Sequence, residues 1–347
     1  MRVDMRSDTV TLPTPAMREV MHAARLGDDV MRDDPNVNAL QEKIACMLGF
    51  EGALFMPTGT QSNLCALLAH CERGDEYLAG QIAHCYRSEA GGAAVFGSVQ
   101  PQPIAHQPDG TLAIADIEAS IKPDDMHYAR TRLLALENTL GGKVMPHDFI
   151  QAATDLAKSR GLSTHLDGAR MFNAAVVQSE LNGTTPLVEA RNMAQCFDSV
   201  SVCFSKSLGA PVGSALCGSS AFLQRALRIR KMAGGGMRQS GMLAAAASYA
   251  LDHHIDRLAQ DHQLMQIFAK GIEGLPDIRF EWPQSNIVFI ELEGRLRERS
   301  GDFMAYLRQH GVLVNGTYRL RFVTHLDLDR QDVEYAAGVI RRFAQEA

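Results

Sequence analysis

This sequence lacks several features that by themselves would assign a chain to a class of proteins, such as membrane or secreted proteins. The longest nearly apolar run, GMLAAAASYAL from residue 241, is far shorter than the roughly 20 residues that span a bilayer. The amino-terminal residues MRVDMRSDTV are charged and contain no apolar stretch of the kind that secretory signals have. We therefore expect neither a membrane-spanning helix nor a secretory leader.

Cysteine and basic charge are also sparse. The seven cysteines are an odd number without CxxC spacing, which predicts free or buried thiols in a reducing cytoplasm rather than disulfides or a zinc site. Lysine and arginine number 34 against 40 acidic residues, and the net charge is −6. The only compact basic cluster is residues 228–231, so the sequence argues against a nucleic-acid partner.

The remaining composition is ordinary for a globular protein, with 46% hydrophobic and 21% charged residues. The length of 347 residues exceeds the usual size of one domain, about 100–200 residues. We predict a large domain over residues 1–245, which includes the amino-terminal segment, and a smaller domain over residues 246–347.

The order of the predicted elements indicates an α/β fold. Short apolar runs alternate with helical patterns through the first two thirds of the chain, which is typical of a mostly parallel sheet. Beyond residue 240 we predict one long helix from Met242 toward Lys270, then short strands, a helix near 301–310 and a closing helix from Asp329. These elements predict a smaller α+β domain. Residues 178–196 contain Asn-Gly and Thr-Thr-Pro, and we predict a surface loop there.

Two polar residues follow strand-like runs at the place where α/β proteins bind ligands. Lys206, in SVCFSKSLGAP, can condense with a carbonyl if burial or nearby cations lower the pKa of its amine. A surface or helix-capping lysine would have the same local sequence. Asp167, in STHLDGAR, can hold a proton on a pyridine nitrogen, which would turn that ring into an electron sink. Alone, such an aspartate could equally cap a helix.

Two further motifs offer a phosphate seat and an imidazole. Gly59 and Thr60, in PTGTQSNLCALLAH, precede a predicted helix whose first N–H groups can bind phosphate, although a plain capped turn would look similar. His84, in AHCYRSEAGGAA, could stack on a cofactor ring or accept a proton near neutral pH. Most histidines of a chain lie instead on the surface or in the core.

Basic residues appear in two later motifs. KMAGGGMRQSG places three glycines between Lys231 and Arg238, whose side chains can reach a phosphate or cross a subunit boundary, unless the segment is only a hinge. RLRFVTHLD contains Arg319 and Arg321, and one of them can form a forked contact with a carboxylate.

Taken together, these motifs resemble the low-specificity L-threonine aldolases. The resemblance runs in colinear order over nearly the whole chain and is carried by MRSDTVTLPTPAM, GDDVMRDDPNVNALQ, FMPTGTQSNLCALLAH, AHCYRSEAGGAAV, LENTLGGKV, HLDGARMFNA, CFSKSLGAPVGS, RKMAGGGMRQSG and RFVTHLD. It implies a PLP-dependent transferase-like (fold type I) large domain with a mostly parallel sheet, and a smaller carboxyl-terminal α+β domain. It also implies pyridoxal 5′-phosphate (PLP) as cofactor, no metal, and a homotetramer built as a dimer of dimers.

The resemblance further implies roles for individual residues. Lys206 matches the lysine that holds the cofactor aldehyde, Asp167 the partner of the ring nitrogen, and His84 the ring-stacking histidine. The remaining matches are, for the cofactor, Gly59, Thr60, Arg170, Ser205, Lys231 and Arg238, and, for the substrate, Ser7, His84, His127, Arg170 and Arg321. The implied base is His84 or His127, directly or through water.

The implied reaction cleaves a β-hydroxy-α-amino acid, such as L-threonine or L-allo-threonine, to glycine and an aldehyde. A PLP-dependent β-eliminating lyase or dehydratase, which would release a keto acid and ammonia, is the closest alternative, and a non-catalytic protein on the same fold is another. The chain departs from the family pattern at Met31 and Arg32, at Leu140 and Gly141, and at Ser207. We expect them to leave PLP binding intact, and we expect Met31 and Leu140 to make the site less polar and to favour a bulkier substrate side chain.

Overall fold

The computed structural model describes residues 3–346. Within them lie twelve strands: β1 Val3–Asp4, β2 Gly52–Met56, β3 Glu76–Gly80, β4 Gln100–Ile104, β5 Thr131–Glu137, β6 Ser163–Gly168, β7 Ser199–Cys203, β8 Ser214–Gly218, β9 Ile278–Phe280, β10 Ile287–Leu292, β11 Val312–Leu313 and β12 Arg319–Val323.

The same residues contain fifteen α-helices: α1 Pro15–His22, α2 Pro35–Leu48, α3 Gly59–His70, α4 His84–Arg87, α5 Gly92–Gly97, α6 Ile114–Ser120, α7 His147–Ser159, α8 Met171–Asn182, α9 Pro186–Ala194, α10 Ser220–Met232, α11 Gly241–His253, α12 Leu258–Ile272, α13 Gly294–Glu298, α14 Ser300–Gln309 and α15 Arg330–Glu346. Two short 3-10 turns cover Asp8–Val10 and Asp29–Met31.

The central sheet has seven strands in the order β2-β8-β7-β6-β5-β3-β4. Only β8 runs against its neighbours in this sheet, and the other pairings are parallel. The predicted α/β fold with a mostly parallel sheet is therefore confirmed. Because parallel strands share one carboxyl edge, the residues that follow β2, β3, β5, β6 and β7 meet there.

Helices cover both faces of this sheet, as the alternation of side chains along β8 shows. Leu216 packs in a buried cluster with residues of α3 and α10. Its neighbours Ala215 and Cys217 pack in the larger cluster formed with α2, α7, α8, α9 and α11. Successive side chains of a strand point to opposite faces, so β8 is buried between two helical layers.

A second core lies in the carboxyl-terminal part of the chain. Strands β9, β10 and β12 form a separate antiparallel sheet in the order β12-β10-β9. Its buried side chains pack with those of α12 and α15, and with Val3 and Met5. Strand β1 pairs in parallel with β11, and the backbone N–H of Val323 donates to the carbonyl of Met5 at 3.0 Å. The amino-terminal segment is thus anchored on the second core before it reaches the large sheet.

The long helix predicted from Met242 toward Lys270 is wrong, because the structure has two helices there. Helix α11 ends at His253 and α12 begins at Leu258. At the break, the ring Nδ1 of His254 lies 2.7 Å from the carbonyl oxygen of Leu208, so a contact with the active-site edge of the sheet fixes the turn. No Gly or Pro marks this break in the sequence, and the interruption comes from tertiary structure.

The surface loop predicted for residues 178–196 is also wrong. Helix α8 continues through it to Asn182, where Gly183 ends the helix at φ 65°, and Thr185 then caps α9. Pro186 occupies the first helical position, so the Thr-Thr-Pro sequence starts a helix here. Met193 is fully buried, which shows that α9 contributes to the first core. Among residues 3–346, none of the helices is both long and apolar enough to cross a membrane.

Candidate active site

A cavity of about 300 Å³ opens at the carboxyl edge of the central sheet. Six residues that the sequence predicted for the site line it: Gly59, Thr60, His84, Asp167, Ser205 and Lys206. They come from the turns after β2, β3 and β7 and from the end of β6, as expected for this edge of the sheet.

The turn after β2 presents the amino terminus of α3 to the cavity. The hydroxyl oxygen of Thr58 accepts from the backbone N–H of Gln61 at 3.0 Å, and the carbonyl of Thr58 accepts from that of Ser62. The N–H groups of Gly59 and Thr60 have no partner within the helix and remain available to an anion. A Cβ on Gly59 would lie 2.6 Å from the sulfur of Cys203, so only glycine fits here without a shift.

Lys206 lies in a tight turn between β7 and β8. The N–H groups of Phe204 and Ser205 both donate to the carbonyl of Gly213, and the N–H of Gly209 donates to the carbonyl of Lys206 at 2.8 Å. These bonds fix the backbone of the turn. Within residues 3–346 the amine of Lys206 forms no hydrogen bond or ion pair, which leaves it available to a ligand in the cavity.

Asp167 is nearly fully buried at the end of β6. Its Oδ2 accepts from the amide nitrogen of Asn63 at 2.7 Å, and its Oδ1 accepts from the backbone N–H of Ala169 at 3.1 Å. Because Asn63 lies one helical turn after Gly59 in α3, the helix that offers the anion seat also fixes this carboxylate.

His84 faces the cavity from the start of α4 and is held by a second carboxylate. Its Nδ1 lies 2.8 Å from Oε1 of Glu89, and that oxygen also accepts from the amide nitrogen of Asn63 at 2.9 Å. The hydrogen bond to Glu89 raises the pKa of His84 above its ordinary value. Burial raises the pKa of Glu89.

A third carboxylate, that of Glu137, contacts the backbone of His84. Glu137 ends β5 directly beside Asp167 of β6, and its Oε2 accepts from the backbone N–H of His84 at 2.7 Å. Burial, reinforced by the charge of Asp167, raises the pKa of Glu137 to about 7.

Beyond Lys206 the amino-terminal segment brings an ion pair to the site. Asp8 is fully buried, and its two carboxylate oxygens accept from Nε and Nη2 of Arg170 at 2.8 and 2.6 Å. Burial opposes the charge on Asp8, but Arg170 outweighs it and holds the pKa of Asp8 well below its usual range. Ser7 begins the short turn that carries Asp8, and its hydroxyl oxygen accepts from the N–H of Thr9.

Arg321 reaches the same segment from β12. Its Nη2 donates to the carbonyl of Arg6 at 3.0 Å, whereas its buried Nε has no hydrogen-bond partner in the part of the chain that is described. Burial lowers the pKa of Arg321, and the charge of nearby Arg170 adds to this effect. Two guanidinium groups with unused donors therefore converge near Asp8, an arrangement that suits a carboxylate ligand.

Some predicted residues are not part of this cavity within one chain. His127 is exposed and its Nδ1 lies 2.6 Å from Oδ1 of Asp125. Lys231 lines a different cavity of about 480 Å³, and Arg238 pairs at 3.5 Å with Asp28. The roles implied for these three residues stay predictions. Met31 is exposed and Leu140 is buried, and neither lines the cavity at Lys206.

Four polar residues at or beside the site were missed by the sequence reasoning, namely Asp8, Asn63, Glu89 and Glu137. Each lies inside a motif that was already recognised: RSDTV, PTGTQSNLC, AHCYRSEAGG and LENTLGG. Helical spacing alone places Asn63 on the turn that follows Gly59, and this signal was available. The other three are brought to the site by tertiary packing.

The combined arrangement joins an unpaired amine, a buried acid and base cluster, and an anion seat at a helix amino terminus. Such a site can bind a phosphorylated carbonyl compound through Lys206 and can move protons through His84 and its carboxylates.

The sequence of this chain is similar to those of known enzymes over nearly its whole length. The profile of the beta-eliminating lyase family matches residues 4–294. The low specificity L-threonine aldolase of Escherichia coli K12 is 47% identical over 342 residues, which are 98% of this chain and 99% of that protein.

Two solved structures show the same fold at low identity. The threonine aldolase of Leishmania major superposes with a TM-score of 0.82 at 23% identity and covers 98% of this chain and 99% of its own. The serine palmitoyltransferase of Sphingomonas wittichii superposes with a TM-score of 0.78 at 18% identity and covers 99% of this chain and 87% of its own. The predicted fold type I architecture is thereby confirmed.

Proposed function

Because this chain belongs to the beta-eliminating lyase family and, within it, to the low-specificity L-threonine aldolases, we propose that it cleaves L-threonine, L-allo-threonine and related β-hydroxy-α-amino acids. The products are glycine and an aldehyde, and the cofactor is PLP. The observation that carries the proposal is the unpaired amine of Lys206, which shares one cavity with the carboxylate of Asp167 and the amino terminus of α3.

The residues of this cavity fit PLP. The volume of about 300 Å³ is at the lower end of the range for small-molecule sites. The N–H groups of Gly59 and Thr60, with the hydroxyl of Ser205, would hold the phosphate. Lys206 would bind the aldehyde carbon, and Asp167 would hold a proton on the ring nitrogen. The hydrogen bonds that Asp167 accepts from Asn63 and Ala169 keep its carboxylate in place.

When bound, PLP supplies an electron sink for the pair released as the Cα–Cβ bond of the substrate breaks. The chain's own residues orient that bond. The two guanidinium groups of Arg170 and Arg321, together with the hydroxyl of Ser7, would bind the α-carboxylate. Because one end of the substrate is then fixed, its β-hydroxyl is presented to the side of the cavity where a base can take the proton. His84 lines the cavity and supplies such a base.

We propose that the assembly is a homotetramer in which Lys231 and Arg238 act across a subunit boundary. Among the described residues that line the cavity, Lys206 is the only lysine or arginine, and Lys231 and Arg238 from a second subunit would add positive charge beside a phosphate there. Large apolar side chains are exposed near those residues, with Met31 71% and Met232 73% exposed. His127, which is exposed, would belong to the same boundary.

The division at residue 245 and the cytoplasmic location are also proposed. Two separate buried cores support a large and a smaller unit. All seven cysteines are unpaired, which is the expected state in a reducing compartment.

The test is an absorption spectrum of wild type and of Lys206→Ala, each then given L-threonine or L-allo-threonine. We expect a cofactor band in the visible or near-ultraviolet range for wild type, and release of glycine and aldehyde by wild type alone. A wild-type protein without such a band after incubation with PLP would overturn the cofactor assignment. A band with a keto acid and ammonia as products would instead assign the chain to the β-eliminating alternative.

A further inference from the structure

One carboxylate of the site, Glu89, has no part in holding the cofactor or the substrate carboxylate. Its side chain is 4% exposed, whereas the ring of His84 that it contacts is 40% exposed at the cavity. A buried carboxylate is costly unless it is hydrogen-bonded, and within residues 3–346 the carboxylate of Glu89 has two partners, His84 Nδ1 and the amide of Asn63. This position therefore needs an explanation beyond packing.

The hydrogen-bond network fixes which atom donates at each contact. The amide nitrogen of Asn63 donates to Asp167 and Glu89, so both of its hydrogens are used. Its oxygen then has to accept, and it does so from Nε2 of His165 at 3.2 Å. The other nitrogen of His165 accepts from the hydroxyl of Ser199 at 2.8 Å.

The same contacts determine which ring nitrogen of neutral His84 carries the proton. Because Glu89 can only accept when ionised, Nδ1 of His84 has to donate to it. In neutral His84 the other nitrogen, Nε2, is then the proton acceptor, and it forms no hydrogen bond within residues 3–346. The ring thus offers its one lone pair away from Glu89.

We propose that Glu89 is a positioning residue that keeps the proton of His84 on Nδ1 and so makes Nε2 the acceptor for the substrate's β-hydroxyl proton. This inference rests on the proposed aldolase function and concerns His84, which is the candidate histidine that lines the cavity within one chain. His127 also touches a carboxylate, Asp125, but that pair is exposed on both sides and lies outside the cavity.

Other charged groups face His84 from every neighbouring element. Asp167 on β6 supports its protonated form, Lys206 after β7 opposes it, and Glu137 on β5 bonds its backbone N–H. The contact with Glu89 is the largest of these influences on the pKa of His84, and it is the one that sets the tautomer.

The decisive variant is Glu89→Gln, which keeps the shape and the acceptor oxygen but removes the charge. Asp125→Asn is the matched control, because it makes the same change beside His127. Full-length protein stripped of cofactor is treated with diethylpyrocarbonate at a series of pH values, and the modification of each histidine is followed by peptide mass spectrometry. This readout needs no substrate, so it is independent of the proposed reaction.

We expect the midpoint of His84 modification to fall to lower pH in Glu89→Gln and to stay unchanged in Asp125→Asn. An unchanged His84 midpoint in Glu89→Gln would overturn the proposal. The sign follows from charge, because loss of the anion disfavours the protonated ring.

The second arm measures the cofactor-loaded enzymes. We expect Glu89→Gln to lower kcat by about 10- to 100-fold, which is less than the factor of about 10²–10⁴ that a general base contributes in full. We also expect the acidic limb of the pH profile of kcat to move to lower pH. In a His84→Gln background the same change should have little further effect. An equal loss in both backgrounds would show that Glu89 does not act through His84. Absence of any aldolase activity in wild type would instead contradict the proposed function, and the modification result would remain valid.

Discussion

The hydroxyl of Ser207 donates a hydrogen bond of 2.7 Å to Oδ2 of Asp8, a residue 199 positions earlier in the chain. Asp8 also binds Arg170, and Ser207 follows Lys206 directly, so this one hydroxyl joins the cofactor lysine to the residues that hold the substrate carboxylate. The amide of Asn286 in turn donates to the Ser207 oxygen at 3.2 Å. Ser207 is one of the residues at which this chain departs from the family pattern, and a glycine at this position could not make these contacts.

Replacing Ser207 with glycine or alanine should loosen the substrate end of the site. Asp8 loses one of its donors and Asn286 loses an acceptor, each a buried contact worth about 1 kcal/mol. We expect KM for the amino acid to rise several-fold with a smaller change in kcat, and the free energy of unfolding in urea to fall by about 1–2 kcal/mol. Ser207→Thr keeps the hydroxyl and serves as control. Wild-type KM and stability in Ser207→Ala would refute this role.

The arginines of β12 allow a paired test of carboxylate binding. Arg321 is half-buried with an unpartnered Nε, whereas Arg319 is exposed, pairs with Glu291 at 2.9 Å and lies over the ring of Phe289. We expect Arg321→Ala to raise KM by about 10- to 100-fold, since it removes a charge-assisted contact worth about 1.5–3 kcal/mol. Arg319→Ala should leave KM within about twofold. Similar KM values for both variants would argue against Arg321 as a carboxylate ligand.

The contact between Gly59 and Cys203 can be tested by a rescue. A Cβ at Gly59 would lie 2.6 Å from the Cys203 sulfur, so Gly59→Ala must displace the turn that offers the anion seat. We expect a clear loss of PLP affinity, about tenfold or more, because the N–H groups of the helix terminus move away from the phosphate.

Removing the sulfur should restore that affinity. The double variant Gly59→Ala/Cys203→Ala has room for the new methyl group, and we expect it to bind PLP more tightly than Gly59→Ala alone in a fluorescence titration. Gly301→Ala, where nothing lies within 4 Å of the added atom, controls for the general effect of a glycine replacement. Failure of the double variant to recover would place the defect elsewhere than in this contact.

The positions that could be predicted from the sequence are those fixed by local chain geometry. Lys206 follows one strand-like run, Asp167 ends another, and Gly59 lies between a third and a helix, which predicts that all three lie at the carboxyl edge of the sheet. The same local rules also apply to residues 178–196, where Gly183 and Thr185 carry the ordinary signals for a helix end and a helix start. The polar composition alone predicts a loop there, but the capping residues at Gly183 and Thr185 determine the structure.

The remainder of the site depends on contacts between distant segments. Asp8 reaches Arg170 from 162 positions away, and the ring of His254 interrupts α11 by contacting Leu208, 46 positions earlier. Nothing in the sequence next to these residues specifies their partners. Glu89 is an intermediate case, since its motif was recognised but its partner amide, Asn63, belongs to α3.

The raised pKa of Glu137 leads to a prediction about stability that does not involve catalysis. In the folded protein the pKa of Glu137 is about 7, against an ordinary value of 4.5, because the carboxyl group is buried beside Asp167. The folded state therefore binds this proton more tightly than the unfolded state. Its contribution to stability is complete below about pH 4.5 and is lost as the pH rises through about 7.

Unfolding in urea at pH 5.5 and at pH 8, with cofactor-free protein at one fixed concentration, measures this contribution. Wild type should lose on the order of 2 kcal/mol more between the two pH values than Glu137→Gln, which carries no titrating proton but keeps an acceptor for the N–H of His84. Glu118→Gln, an exposed glutamate paired with Arg160, should behave as wild type. If Glu137→Gln and wild type lose the same free energy of unfolding between the two pH values, Glu137 does not bind its proton more tightly in the folded state. Another carboxyl group of the site would then carry the raised pKa.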